Sequence, residues 1–502
     1  MSPSSEKTGS LTSHVSWLML AKTFSFVFSV ALPMVLVRRL NRTEFGLYKQ
    51  LFLVVGTSVV VLSMGFGMSA YYFLLREPER QREIVSNVML FNLVMGLVPA
   101  LAFLFYPPLL GIIFSQPQLA SYAPLVGLVI LLWMVAAFLE IAPIVMQEIK
   151  LASAAIVAIQ LSRTFLYLAA VLVFGTVRAL VYAAVLQGLL QNVLMMAYLH
   201  ARFPGFWRYF DWTVLRRQLS YALPIGFGAL LLNVEGDLHN YFVSNRFGPT
   251  VFALYAVGTV QLPFLNLLQD ATNAVMILRV AVLQHENKTA EILRLTAAAM
   301  RKLAAIYFPA CIFFLVFRRE FITFLFTAQY KDSANIFAVN LMLLPMAVLL
   351  YDPLFRAFID QRYFLLRLRL VLCAAMAAAL WFAIGRFGLM GAISVVVATI
   401  ATERVVTLAR ICRILGVQWS DIRLLKDVGK VTVAACLAGV AAVVVRAQMA
   451  GWKPLIVLAA GGVVFGLVYT GAVFGLGTVT PEERAIIRTK LASVPMRVRA
   501  AG

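Results

Sequence analysis

The sequence predicts an all-α polytopic membrane protein of about fourteen transmembrane helices: two parallel six-helix repeats plus two C-terminal helices. Three observations predict it. Of the 502 residues, 62% are hydrophobic and only 13% charged, whereas soluble chains run nearer half apolar and a quarter charged. The apolar residues gather in runs long enough for helices, which need about 20 residues each to cross a bilayer. Finally, the 43 Lys and Arg are unevenly spread. With the N-terminus taken as cytoplasmic, 29 of them fall in cytoplasmic segments and 12 in periplasmic ones, the bias that orients membrane proteins. It places both termini in the cytoplasm and requires an even number of spans.

Residues 1–13 form a short cytoplasmic tail with one basic residue, Lys7. The apolar run that follows has no small-residue cleavage signature, so it reads as a retained first helix and not a signal peptide. The first six-helix bundle occupies 14–199, with spans near 14–37, 47–75, 86–114, 119–146, 152–176 and 178–199. A polar cytoplasmic linker, 200–218, leads to the second bundle at 219–412. Its spans lie near 219–244, 251–278, 303–317, 335–357, 364–385 and 387–412. Two appended spans, 430–449 and 453–476, precede a basic cytoplasmic tail, 477–502. That tail opens on Thr480, Pro481, Glu482 and Glu483, an N-cap, a proline at the first helical position and an acid at the third. A short helix bearing Arg484, Arg488 and Lys490 is expected there, along the anionic membrane surface.

Several function classes are excluded. Cys311, Cys373, Cys412 and Cys436 lie in or at the end of apolar runs, with no CxxC spacing, so neither a disulfide framework nor a zinc site is implied. The net charge of +21 is scattered between apolar runs, which fits the positive-inside bias and not a nucleic-acid surface. Phosphate-loop and nucleophile signatures are missing. The segments between spans are too short for a soluble catalytic domain.

The chain repeats itself. Residues 39–48 (RLNRTEFGLY) are echoed by 246–255 (RFGPTVFALY), five of ten identical at an offset of 207. Ile113, Phe114 and Ser115 are echoed more weakly by Leu325, Phe326 and Thr327. Two six-helix halves of the same orientation follow, related by a pseudo-two-fold axis along the membrane normal, with a transport site expected between them near mid-membrane.

These motifs also carry a family resemblance. The segment 39–48, the Gly65-Phe66-Gly67 run, residues 219–226 (LSYALPIG) with Asp237, and 321–330 (FITFLFTAQY) resemble corresponding stretches of polysaccharide flippases. Those belong to the multidrug/oligosaccharidyl-lipid/polysaccharide (MOP) superfamily. The likeness runs in patches from about residue 15 to 360, and Thr327 or Ala328 replaces the family's usual glycine. The resemblance implies two six-helix bundles around a central cavity, working by alternating access. It further implies a polyprenyl-diphosphate-linked oligosaccharide as substrate, moved from the cytoplasmic to the periplasmic leaflet of a bacterial inner membrane. The other partners expected are membrane lipids and a glycan polymerase or chain-length regulator, with no nucleic acid. No cofactor is implied; H+ or Na+ is the expected coupling ion. A multidrug or small-molecule antiporter of the same fold is the alternative within transport, and a membrane glycan polymerase or ligase the alternative outside it.

Charges inside spans mark the site, since each costs about 2.5–3.5 kcal/mol on insertion scales unless it faces a cavity or a partner. Lys22 in span 1 and Arg163 in span 5 are the expected ligands of the diphosphate. Arg163 reads equally as one half of a structural ion pair with Glu140. In span 7, Asp237 is the expected coupling carboxylate, and Glu235 and His239, one turn apart, read as ties to a neighbouring helix. Asn266, Gln269, Asp270 and Asn273 form one polar stripe in span 8, with Gln261 before it. Asn266 and Gln269 are expected to contact substrate, and Asp270 and Glu140 to join Asp237 in ion coupling. The pairs Asp352/Arg356 and Glu403/Arg404 read as interfacial ion pairs. Pro33, Pro224, Pro263 and Pro345 read as bends within spans.

Overall fold

A computed structural model describes residues 28, 31–358 and 361–478, the side chains at 225, 263, 264, 266 and 362 excepted. Lys22, the side chain of Asn266 and the expected tail helix beyond residue 478 lie outside this description. Every regular element among the described residues is helical. Among the described residues, nine helices are long and apolar enough to cross a membrane, ten when one bent helix is included. The described residues fall into two compact units, one within 1–257 and 369–395, the other within 258–368 and 396–502.

In the first unit, a helical stretch over 31–39 precedes α1 (Arg42–Ser63). A capping box starts α1: the Glu44 amide donates to Asn41 Oδ1 at 2.9 Å, and the Asn41 amide donates to Glu44 Oε2 at 3.2 Å, which satisfies two otherwise orphaned donors. The expected span 47–75 is broken. Met64 and Gly65 adopt φ of 45° and 64°, so α1 stops and a second helix, α2 (Met68–Arg76), starts afresh. Next come α3 (Gln81–Phe105), α4 (Pro108–Phe114), α5 (Ala123–Ala136), α6 (Ile149–Val173), α7 (Val177–Arg202) and α8 (Trp212–Gly258).

Helix α5 packs against α3, α7 and α1. Lipid supplies no hydrophobic force between helices, so close packing and polar ties must hold them. Trp133 Nε1 of α5 donates to the Ala184 carbonyl of α7 at 3.3 Å, and Asn192 Nδ2 returns to the Leu132 carbonyl at 2.8 Å. At the end of the unit where α8 begins, Phe66, Phe73, Ile84, Phe138, Leu199 and Phe206 form a buried cluster.

Helix α8 bends by 45° at Pro224, where the missing N–H loosens the ladder. It is interrupted again at Gly248, whose φ of 75° and ψ of 179° lie where glycine is strongly favoured.

In the second unit the expected span 251–278 is two pieces. Helix α8 ends at Gly258, and α9 (Pro263–His285) begins after a non-helical link. Proline disfavours helical geometry at the residue before it. Pro263 therefore starts a helix instead of bending one. Then follow α10 (Thr289–Val316) and α11 (Arg318–Phe326). The expected span 335–357 is a chain of three short helices, α12 (Ser333–Asn340), α13 (Leu343–Ala347) and α14 (Asp352–Ala357).

The long α15 (Arg362–Ile414, 53 residues) is interrupted at Gly388, with φ 58° and ψ −139°. A continuous helix of that length would reach about 80 Å at 1.5 Å per residue, far beyond the roughly 30 Å hydrocarbon layer. It is therefore two spans, as expected at 364–385 and 387–412. The chain closes with α16 (Lys426–Gln448) and α17 (Pro454–Gly475). These last two pack on each other, and α16 packs on α10.

Candidate functional site

The first unit holds a polar seam between α1 and the part of α8 before and just after Gly248. Thr43 and Thr250 share a hydrogen bond between hydroxyls at 2.8 Å. Two turns further along α1, Gln50 Nε2 donates to the buried Ser244 Oγ at 2.7 Å. Another two turns on, Thr57 Oγ1 donates to Asp237 Oδ2 at 2.6 Å. The steps of seven residues keep these side chains on one face of α1, and the descending partner numbers make the two helices antiparallel. Small residues let the backbones meet. A Cβ on Gly46 would collide with the Pro249 carbonyl, and one on Gly226 with the Met64 carbonyl.

Asp237, the expected coupling carboxylate, is thus half-buried with a charge-assisted hydrogen bond, the stronger class of such bonds. His239, one turn from Glu235, shares a 2.9 Å hydrogen bond between its Nδ1 and the Tyr255 hydroxyl, across the break at Gly248. That is the tying role expected of it.

Arg163 projects from α6 onto aromatic faces. Its guanidinium carbon stands 4.8 Å from the Trp133 ring centre and 5.7 Å from that of Tyr167. Phe52 packs between them, 6.0 Å from Trp133 and 5.8 Å from Tyr167, and Tyr48 stands 4.8 Å from Phe52. Two rings, backed by Phe52 and Tyr48, hold one partly buried cation. Partly desolvated cation–π contacts are worth about 2 kcal/mol, which offsets much of the cost of placing that charge in a span. The ion pair with Glu140 is not formed: Arg163 lies on rings instead. Glu140 is an exposed residue closing the 3-10 turn Ala137–Glu140.

In the second unit, Gln269 is half-buried and Asp270 exposed on α9. On the facing α10, the Tyr307 hydroxyl donates to the Leu265 carbonyl at 2.6 Å. Asp352 and Arg356 make the expected (i, i+4) pair at 2.9 Å. Glu403 and Arg404 do not pair with each other. Both meet Tyr351, Glu403 through the hydroxyl at 3.4 Å and Arg404 over the ring at 4.4 Å.

A charged lattice at the start of α8 escaped sequence reading. Arg80 pairs with Glu83 at 2.6 Å and Asp211 at 2.7 Å, and Arg217 forks onto both oxygens of Glu77 at 2.9 and 2.8 Å. Asp211 caps α8 by accepting from the Val214 amide at 3.0 Å, while Asn87 Nδ2 donates to the Asp211 carbonyl at 3.0 Å. Capping by Val214, backed by Thr213 and Arg80, holds the Asp211 carboxyl below the usual range. The only available signal was the clustering of opposite charges in 77–83 and 208–217. Among the described residues no group of three or more His, Cys, Asp or Glu is placed to hold a metal.

The family described as "Polysaccharide biosynthesis protein" matches residues 35–335. Among solved structures, the chain resembles the lipid II flippase MurJ in an inward closed conformation, with a TM-score of 0.65 at 13% identity, covering 91% of this chain and 99% of that one. An inward-facing multidrug resistance MATE family transporter of the MOP superfamily aligns with a TM-score of 0.58 at 16% identity, covering 77% and 94%. A MOP superfamily transporter from Pyrococcus furiosus, described as having a binding pocket of reversed polarity, aligns with a TM-score of 0.55 at 15% identity, covering 80% and 95%. No curated protein matches the sequence. At such identities the structural likeness establishes the fold, a bundle of many membrane helices like those of these transporters, and one fold serves many substrates.

Proposed function

This chain belongs to the polysaccharide biosynthesis protein family, and we propose that it translocates a polyprenyl-diphosphate-linked oligosaccharide by alternating access. The direction proposed is from the cytoplasmic to the periplasmic leaflet of a bacterial inner membrane, for cell-surface polysaccharide synthesis. One observation carries the reading: the match over residues 35–335 falls on a chain whose fold is shared, nearly end to end, with a lipid II flippase.

The side chains support it in kind. A diphosphate leaving water needs cations in a low-dielectric setting. Lys22 and Arg163 are the proposed ligands, with Asn266 and Gln269 contacting the glycan. Arg163 is suited to this because aromatic faces hold it and leave its N–H edge without an ion-pair partner among the described residues. Asp237, Asp270 and Glu140 are the proposed sites of H+ or Na+ coupling. No bond is made or broken in such a cycle, so no catalytic residue is assigned. A glycan polymerase or chain-length regulator is the proposed neighbour in the membrane.

The test is depletion of the protein in its native cell, with lipid-linked glycan extracted and probed from each side of the membrane. Complete units building up on the cytoplasmic face are the expected result. Build-up on the periplasmic face would move the protein to polymerisation or ligation, and absence of any build-up would favour a drug or small-molecule antiporter.

A further inference from the structure

A cavity of about 840 Å3 opens in the first unit between α8, the chain at Ile113 and the part of α15 that precedes Gly388. Its lining includes Arg246, Arg386, Tyr241, Trp381 and Gly385, and among the described residues no carboxylate. Asn245 fixes one wall, since its amide donates to the Ile113 carbonyl and to Ser115 Oγ, both at 2.9 Å. Tyr241 stacks on Phe114 with ring centres 5.8 Å apart. Neither arginine forms an ion pair or a side-chain hydrogen bond among the described residues. Trp381 is 79% exposed, with Phe382 and Phe387 also exposed beside it, the pattern of rings seated at headgroup depth.

Two guanidiniums lining one cavity, with no counter-charge among its described residues, repel each other unless an anion joins them, and their planar forks fit phosphate oxygens two at a time. The volume is that of a small-molecule site, roughly 300–1,000 Å3, more than a lone phosphate fills. The aromatic wall offers an apolar surface to an isoprenoid stem or a sugar ring. We infer that this cavity is a second subsite of the transport cycle. It receives the diphosphate and first sugar of the lipid-linked glycan at the membrane face where Gly248 and Gly388 lie. The assignment rests on the flippase reading for its substrate, but its binding test does not depend on flipping.

The test uses the full-length protein in nanodiscs of zwitterionic lipid, with radiolabelled geranylgeranyl diphosphate as the probe. Three forms are compared with the native one: Arg246→Gln with Arg386→Gln, Gly385→Phe, and Gly385→Ala. A Cβ on Gly385 meets nothing within 4 Å, so alanine leaves the cavity open whereas phenylalanine puts a ring at its wall. Affinity is expected to fall at least about tenfold, or about 1.4 kcal/mol, in the double arginine variant and in Gly385→Phe, and to be unchanged in Gly385→Ala. Thermal melts of each form confirm folding. Unchanged affinity in the first two variants overturns the inference, as does failure of the native protein to bind the probe. Displacement of the probe by equimolar phosphatidylglycerol overturns the diphosphate assignment in favour of an ordinary anionic lipid. Cavity-dependent binding in a protein whose depletion causes no glycan build-up overturns the glycan and the flippase reading, while the reverse combination overturns the cavity alone.

Discussion

The hydrogen bond from Thr57 to Asp237 places a proposed coupling carboxylate on the seam between two helices. Interhelical polar bonds in membranes contribute about 0.6–1.7 kcal/mol, and a shift of 1 kcal/mol changes a two-state ratio about fivefold. Thr57→Val keeps the shape and removes the donor. Spin labels at the exposed positions Val60 and Leu232 are expected to report a broader, longer distance distribution in that variant; an unaltered distribution would mean the bond does not hold the seam. Asp211 titrates where solvent reaches it. Its carboxyl is held low, chiefly by the Val214 amide, so its contribution is complete above the unfolded carboxylate value of about 3.9 and is lost as pH falls through the lower folded value. Asp211→Asn, which keeps a capping oxygen, should therefore lower the melting temperature at pH 7 and converge with the native protein only as pH falls below the depressed folded value. How far such residues can be read from sequence depends on their setting. Asp237 and Arg163 announced themselves as charges in apolar runs. Thr57 did not, because a threonine in a membrane helix has no distinguishing pattern. The rings around Arg163 come from α1, α5 and α6, and only Tyr167, one turn away on the same helix, was within reach of spacing arguments.

Along the elements, the seam depends on absent side chains as much as on polar ones. In a helix interior alanine is ordinarily favoured over glycine by about 1 kcal/mol. At Gly226 the sign should reverse, because the added carbon meets the Met64 carbonyl. Gly226→Ala is expected to lower the melting temperature in detergent by several degrees, whereas Gly228→Ala, two residues on and with open space around it, should leave it level or raise it. Equal effects at the two positions would remove the close approach from the account. The helix breaks divide by cause. Pro224 bends its helix as composition implies, yet Pro263 starts one, since apolar periodicity is silent on whether the residues before a proline stay helical. The stop at Met64 is signalled only by its glycine neighbours, because methionine itself rarely takes a left-handed conformation.

At the scale of the whole molecule, the duplication read from sequence acquires a geometric meaning. Thr43 and Thr250 are equivalent positions of the repeated motif, 207 residues apart, and they bond to each other. A residue touches its own repeat-equivalent only near the axis that relates the repeats, so the pseudo-two-fold passes by this contact. Repeats of the same orientation demand that such an axis run along the membrane normal. Residues at one end of the first unit must then share one side of the membrane, and those at the other end the opposite side. The charged lattice of Glu77, Arg80, Asp211 and Arg217 marks one end; Ser115, Asn245 and Arg386 mark the other. On the basic excess we propose that the first end is the cytoplasmic one. Cys311, Cys373, Cys412 and Cys436 can be replaced by alanine to give a background free of thiols, and single cysteines introduced at the exposed Glu79 and Gln118. A membrane-impermeant maleimide added to intact spheroplasts is expected to label position 118 and to reach position 79 only after lysis. Labelling of both before lysis would break the membrane crossing of α3 on which the assignment depends. The inverse pattern would turn the protein over and put the two-arginine cavity on the side where the lipid-linked glycan is assembled, making it a loading site instead of a release site.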